Sequence, residues 1–390
     1  MNTYEKAQEL KDWVIEKRRD FHEHPELSTK EVRTSGIVEE TLRSFGIETK
    51  RVGETGVLGI LKGSRPGRVL ALRADMDALP VTEETGYPFA SKNPGCMHAC
   101  GHDFHTSMLL GAAKILSEEK DKIAGTVKFI FQPAEELAVG AKAMVAGGVL
   151  ENPAVDMVFG MHVMADLPVG CAVVQEGYFM AAADRWDCSI IGTSCHGSAP
   201  WQGRDAIVCA AAFIQSVQTI VSRTNDAREP IVINIGTIKG GERFNITPGR
   251  VEIEGMNRSF SENSRKMLPQ WIEAMLKNTC EAYGCTYRFS YDFSCGPVTN
   301  DKASTELVRG ALGKFLGPGA IVQIPKIMGS EDYSEYLAKV PGMILLLGGR
   351  NEAKDCRYPQ HSSHFKIDED CVPIGVAAHV QVALDYLSLS

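Results

Sequence analysis

In the first half of this chain apolar strand-like runs alternate with helical patterns, and the runs lead into clusters of polar groups. Val69-Leu70-Ala71-Leu72-Arg73-Ala74 is followed by Asp75-Met76-Asp77, Gly125 to Phe131 by Glu135-Glu136, and Met157 to Val163 carries His162 near its end. A helix is expected from Asp103 to Glu118. This rhythm restricts the fold to an α/β sheet covered by helices. Functional groups on such sheets collect where strands end.

From about Ala182 the pattern changes. Trp186 to Thr193, Ile231 to Lys239, Arg250 to Ser259 and Thr286 to Phe293 read as strands, with helices over Asp205 to Ser222 and Ser261 to Tyr283. This β-α-β-β-α-β order is the split βαβ, ferredoxin-like arrangement of a compact α+β module. The α/β rhythm resumes after Pro297 with Ile321 to Ile324, a helix near Glu331 to Lys339, a strand from Met343 to Gly348 and a terminal helix from Asp370 to Leu387. The module therefore reads as an insertion. The expected organisation is a discontinuous first domain, 1–181 with 295–390, and an inserted domain, 182–294.

A length of 390 residues is too great for one ordinary core, which agrees with two domains. A net charge of -8 with no basic run argues against nucleic acid or an anionic membrane as partner. No apolar stretch approaches the roughly 18 residues of a membrane span, and MNTYEKAQELKDW reads as a charged amphipathic helix rather than a signal peptide. The cytoplasm is the expected compartment. Eleven cysteines, odd in number and scattered, fit reduced thiols better than a disulfide framework.

The chemistry concentrates in Met97-His98-Ala99-Cys100-Gly101-His102-Asp103-Phe104-His105. Thiolate and imidazole are ligands of zinc-like metals, and Cys100-x-His102 aims two of them at one point from a single turn. On extended backbone Glu135 and Glu136 would point to opposite sides, so that one binds metal while the other meets a reacting water. Taken alone the pair reads as a solvated acidic loop, and His162 as a hydrogen-bonded core residue. With Cys100, His102, His162 and the late His361, Glu136 completes enough donors for a two-metal centre. Asp75-x-Asp77 offers a ligand and a carboxylate to orient a ligand imidazole, or simply a polar strand exit. In the inserted module, His196 sits in the turn Cys195-His196-Gly197-Ser198-Ala199-Pro200, and Asn245 and Arg258 flank one strand. Arginine is suited to clamping a carboxylate, although both residues also read as ordinary turn and surface positions.

In this order the motifs resemble the dinuclear metallo-amidohydrolase family of aminoacylases, carboxypeptidase G, hippurate hydrolases and plant auxin-conjugate hydrolases. The resemblance is nearest to the hippurate and auxin-conjugate branch. It is carried by RRDFHEHPELS, LRADMDALP, MHACGHDFHTSMLLGAA, QPAEE, GMHV with LPVG, HGSAP with GRDAI, GSEDYSEYLAKVPG and HSSHFKIDED, which together span nearly the whole chain.

The resemblance implies a three-layer catalytic domain with a mixed central sheet and an inserted lid domain of the kind that dimerises. Cys100, His102, Glu136, His162 and His361 fall on the family's metal-ligand positions, Glu135 on its general base and Asp77 on a residue that orients a ligand. Asp75 stands where relatives outside this branch carry a ligand histidine. His196 matches a residue that polarises the scissile carbonyl, and Asn245 and Arg258 match residues that hold the substrate's backbone or carboxylate. The implied cofactors are two divalent ions among zinc, manganese, cobalt and nickel, and the implied substrate is a small N-acyl amino acid. The implied reaction cleaves its amide to a carboxylic acid and a free amino acid. Such lids often pair through a sheet edge or helix face, which leaves room for a homodimer or higher homo-oligomer. Ser194-Cys195 replaces the glycines common before the lid histidine, Asn245-Ile246-Thr247-Pro248-Gly249 replaces Asn-Val-Ile-Pro-Asp, and His364 follows His361 where other residues are usual. These departures spare the metal donors and bear on substrate preference. A dipeptidase or carboxypeptidase with the same centre, and a catalytically silent metal-stabilised binding protein, are the competing expectations.

Overall fold

The computed structural model describes residues 2–388, which divide into two compact units. Among the described residues the first comprises 2–177, Thr299–Pro325 and 332–388, and the second Tyr178–Val298 with Lys326–Glu331.

The first unit is built on an eight-stranded sheet. Its spatial order is Glu48–Val52, Gly56–Lys62, Ala124–Gln132, Arg65–Asp75, Met157–Pro168, Gly342–Arg350, Ala172–Val173 and Ile321–Val322. The four strands from Ala124–Gln132 to Gly342–Arg350 are mutually parallel, whereas Gly56–Lys62 joins Ala124–Gln132 antiparallel, so the sheet is mixed. Side chains alternate across a strand. Leu70, Leu72, Phe129, Phe131, Phe159, Met161, Leu345 and Leu347 face one large apolar core, which also takes side chains from the helices Lys11–Glu23, His102–Glu118 and Val372–Leu387. A strand covered on both faces reads as a continuous apolar run, which explains why these strands were visible in the sequence. The opposite parity carries Arg73, Asp75, Lys128, Gln132, Gly160 and His162, all of whose side chains are likewise inaccessible or nearly so apart from glycine. One face of the sheet is thus oil, and the other holds the buried polar groups.

Gly111 lets the helices close up. A Cβ there would lie 2.8 Å from Val14 and 3.0 Å from Val376, and one on Gly375 would collide with Met108. The helix His102–Glu118 is consequently wedged between an early and a late segment of the chain.

The second unit is a four-stranded antiparallel sheet, ordered Ile231–Gly240, Arg250–Ser259, Ala182–Ile191 and Thr286–Cys295, with helices Ala206–Val217 and Glu262–Tyr283. Trp186, Ile190, Phe213, Leu268 and Ile272 fill its core. The piece Lys326–Glu331, which the sequence put in the first domain, belongs here. Ala181 N–H reaches Ile327 O at 3.1 Å and Gly329 O at 3.0 Å, and the Lys326 ammonium stands over Tyr178 and Phe260. A second difference concerns Ala206–Thr224. By length and composition this helical stretch could cross a membrane, with a mean hydropathy of 1.4. Its Cys209, Phe213 and Val217 are spent inside the second unit's core instead.

Candidate metal centre

His102 opens the helix His102–Glu118, and the residue before it, Gly101, has φ 93°. Only glycine adopts that left-handed backbone without strain, and a Cβ there would strike Val163. The turn points Nδ1 of His102 at Asp77, donating to its carbonyl at 2.9 Å and lying 3.2 Å from its Oδ1. Nε2 is left buried with no hydrogen-bond partner among the described residues. Burial opposes charge on this imidazole, but the carboxylates of Asp75 and Asp77 outweigh it and hold its pKa well above the usual value. His102 therefore sits where positive charge is favoured.

Around that nitrogen stand the other donors. His162 lies inside the strand Met157–Pro168 rather than at its end, because the strand runs on through Met164 to Pro168. Its Nδ1 donates to Val163 O at 2.7 Å, so its Nε2 presents a lone pair 3.4 Å from Cys100 Sγ. Burial pushes the His162 pKa well down and the Cys100 thiol well up. Glu136 Oε1 is buried without a hydrogen-bond partner among the described residues, 3.9 Å from His102 Nε2 and 3.5 Å from His361 Nε2. His361 is half exposed, with φ 66° and its N–H on Ala99 O at 2.7 Å. Cys100, His102 and His162 bring one donor atom each within 4.8 Å of one another, as do Cys100, Glu136 and His361. The five predicted ligands are therefore together, and Cys100 belongs to both groups.

Glu135 and Glu136 lie on a turn, not on extended backbone. Ala138 N–H closes onto Glu135 O at 2.7 Å, and Ala134 has φ 52°, which nothing in an alanine announces. Asp77 organises this turn. Its Oδ1 accepts from Glu135 N–H at 3.1 Å as well as from His102, and its Oδ2 accepts from Glu136 N–H at 3.1 Å and Ser28 Oγ at 2.7 Å. Burial alone would raise the Asp77 pKa, but the His102 and Ser28 hydrogen bonds bring it below the usual range. One carboxylate thereby fixes an imidazole and both neighbouring glutamates.

Asp75 is occupied differently. Arg73 Nη1 meets its Oδ2 at 2.6 Å and His105 Nδ1 meets its Oδ1 at 2.6 Å, while His105 Nε2 accepts from Val163 N–H at 2.8 Å. Asp75, His102 and His105 also bring donor atoms within 4.8 Å. Both oxygens of Asp75 and both ring nitrogens of His105 nevertheless have hydrogen-bond partners, unlike His102 Nε2 and Glu136 Oε1. His98, the remaining histidine of the motif, is a core residue with neither nitrogen hydrogen-bonded among the described residues, and burial pushes its pKa down to about 4. Residue pattern alone assigns no role to His105, Arg73, Gln132 or Asp332. The only signal was that Arg73 and Gln132 interrupt otherwise apolar strands.

In the second unit the short ladder of Cys195–His196 against Ile246–Thr247 brings His196 and Asn245 together, with Gly197 N–H on Asn245 O at 2.9 Å. Asn245 Oδ1 and Arg258 Nη1 are buried without a partner among the described residues. Burial lowers the Arg258 pKa.

The donor set fits divalent metal. Two buried atoms, His102 Nε2 and Glu136 Oε1, have no hydrogen-bond partner among the described residues, and buried polar atoms are rarely left so. A thiol, three imidazoles and a carboxylate suit borderline ions better than magnesium or calcium. Fold and site together define a metal-dependent hydrolase acting on amide bonds. The chain belongs to the Peptidase family M20/M25/M40, which its residues 71–385 match. It is 41% identical over 385 residues to thermostable carboxypeptidase 2 of Saccharolobus solfataricus, covering 97% of each chain. It is 48% identical over 294 residues to the N-acyl-L-amino acid amidohydrolase of Geobacillus stearothermophilus, covering 75% of this chain and 79% of the relative. Among solved structures it resembles the YXEP protein of Bacillus subtilis, described as a dinuclear metal binding peptidase from the M20 family. That match has a TM-score of 0.86 and 34% identity, covering 98% of this chain and all of the other.

Proposed function

We propose that this protein is an amidohydrolase that cleaves N-acyl amino acids to a carboxylic acid and a free amino acid. The observation that carries the reading is the pair of unpartnered buried donors, His102 Nε2 and Glu136 Oε1, beside a glutamate held by the same carboxylate that orients them. Cys100, His102, Glu136, His162 and His361 would hold two divalent ions, taken from zinc, manganese, cobalt and nickel. Bound metal supplies a Lewis acid and lowers the pKa of water at neutral pH. Asp77 keeps His102 and the Glu135–Glu136 turn in register. Glu135 takes the proton of the attacking water and delivers it to the leaving nitrogen. His196 polarises the scissile carbonyl, while Asn245 and Arg258 hold the substrate's backbone and free carboxylate. The inserted unit acts as a lid, and a homodimer would use one of its edges or helix faces. Eleven free thiols support a reducing compartment, the cytoplasm.

Glu135→Gln tests the assignment. Turnover should fall by at least about a hundredfold with full metal content, and near-normal turnover in a metal-replete variant would refute it. Identity to an archaeal carboxypeptidase favours a second reading, a peptidase with the same centre. A panel of N-acetyl and N-benzoyl amino acids beside dipeptides separates the two. Dependence on a free substrate α-amine would favour the peptidase.

A further inference from the structure

Behind Glu135 lies a second set of buried polar groups that the scheme above does not use. Arg73, fully inaccessible, donates from Nε to Gln132 Oε1 at 2.8 Å, from Nη1 to Asp75 at 2.6 Å and from Nη2 to Asp332 Oδ1 at 3.0 Å. Gln132 Nε2 spans both Asp332 oxygens, at 2.8 and 2.9 Å, and Ala141 N–H reaches Oδ2 at 2.9 Å. Tyr336 O–H closes the set on Gln132 Oε1 at 3.1 Å. The backbone N–H of Asp332 faces Glu135 Oε1 at 3.5 Å. Asp332 is also the residue at which the chain returns to the first unit.

We infer that Asp332 is a positioning residue. Its carboxylate is clamped by Arg73, Gln132 and the Ala141 amide, which fixes the backbone N–H aimed at Glu135 and, through Arg73, sets Asp75 against His105. The sheet supplies the rigidity. Arg73 and Gln132 project from adjacent parallel strands, so the clamp is built on the least mobile part of the fold. Removing the Asp332 charge leaves the guanidinium short of an acceptor and loosens the segment that carries the amide. Because a carboxylate that must meet a water's proton is sensitive to small displacement, the effect belongs in turnover rather than in substrate binding.

This inference rests on Glu135 being the proton acceptor. The test compares Asp332→Asn, Tyr336→Phe and Glu135→Gln in the full chain, each loaded with metal and assayed on the best N-acyl amino acid of the panel. Metal content and thermal midpoint are measured alongside. Asp332→Asn is expected to lower kcat by about ten- to a hundredfold while KM stays within about twofold, with metal content unchanged. Tyr336→Phe, which removes the outermost hydrogen bond of the set, should lower kcat less and in the same direction. If Asp332→Asn does not fold, Tyr336→Phe decides, and an unchanged kcat overturns the inference. Variants that lose thermal stability or metal but keep the wild-type kcat per metal-loaded molecule would make the network a scaffold only. Loss of turnover in Glu135→Gln with full turnover in Asp332→Asn refutes this inference alone, whereas turnover retained in Glu135→Gln refutes the proton-acceptor reading with it.

Discussion

Replacing Asp77 by asparagine keeps the shape of the side chain and removes half of its accepting capacity. The carboxylate serves four donors: Oδ1 takes His102 Nδ1 and Glu135 N–H, and Oδ2 takes Glu136 N–H and Ser28 Oγ. An amide nitrogen in place of Oδ1 would strand Glu135 N–H and set its own hydrogens against His102 Nδ1–H, which would keep only the Asp77 carbonyl. In place of Oδ2 it strands only Glu136 N–H, since the Ser28 hydroxyl can turn and accept, so the variant should settle that way. A buried donor left unsatisfied costs about 1–3 kcal/mol. Here the stranded donor is the backbone of Glu136, a proposed metal ligand, so much of that cost would fall on the metal-loaded geometry. At about 1.4 kcal/mol per decade the loss corresponds to roughly ten- to a hundredfold in metal affinity. The assay is competition against chelators of graded strength, read as metal per chain, with circular dichroism to confirm the fold. A folded Asp77→Asn protein whose metal affinity stays within about twofold of wild type would refute the claim that this carboxylate orients the centre.

Two further perturbations test the frame that holds the site. Gly101→Ala forces φ 93° on a residue with a Cβ and drives that Cβ into Val163, so a loss of about 2–5 kcal/mol in chemical denaturation is expected from strain plus overpacking; a loss below about 0.5 kcal/mol would contradict it. Lys128 is fully buried, donates to Val149 O at 3.0 Å and Glu151 O at 2.6 Å, and burial lowers its pKa from 10.5 to about 8. Between those values the unfolded chain binds the extra proton, so stability should rise by about 2 kcal/mol from pH 7 to pH 9.5 and the rise should vanish in Lys128→Met. Urea denaturation under reducing conditions at both pH values checks this, and equal slopes in the two proteins would refute it.

The candidate donors were legible because thiol and imidazole are chemically distinctive and their motifs are visible outside any fold. Cys100, His102, Glu136, His162 and His361 could be named from residue type and resemblance, and the parallel strands from their doubly covered faces. What stayed hidden depends on geometry that one-dimensional pattern does not carry. Asp332 meets Gln132 and Arg73 only because strand parity and a distant return of the chain put them on one face of the sheet. The turn at Glu135 is set by a positive φ at Ala134, a residue that carries no turn signal. Asp75 was left open as a ligand by its residue type, and the hydrogen bonds that Arg73, two positions earlier, and His105 make to its oxygens could not be read from the sequence. The hairpin of Glu48–Val52 and Gly56–Lys62 and the helix Val32–Ser44 went unread, the helix because Thr34, Ser35 and Thr41 are buried in it and blur its apolar stripe.

The wedging of His102–Glu118 against Val372–Leu387, at Gly111 and Gly375, bears on how the protein comes to be assembled. The inserted unit is nearly contiguous and can gather its core from neighbours in sequence, but the helix that presents His102 gains its full seat only when a segment from far downstream has emerged. During synthesis the thiol and imidazoles would thus remain loosely arranged until the chain extends through Val372–Leu387. Commitment to a cation is thereby deferred to one of the last steps of maturation.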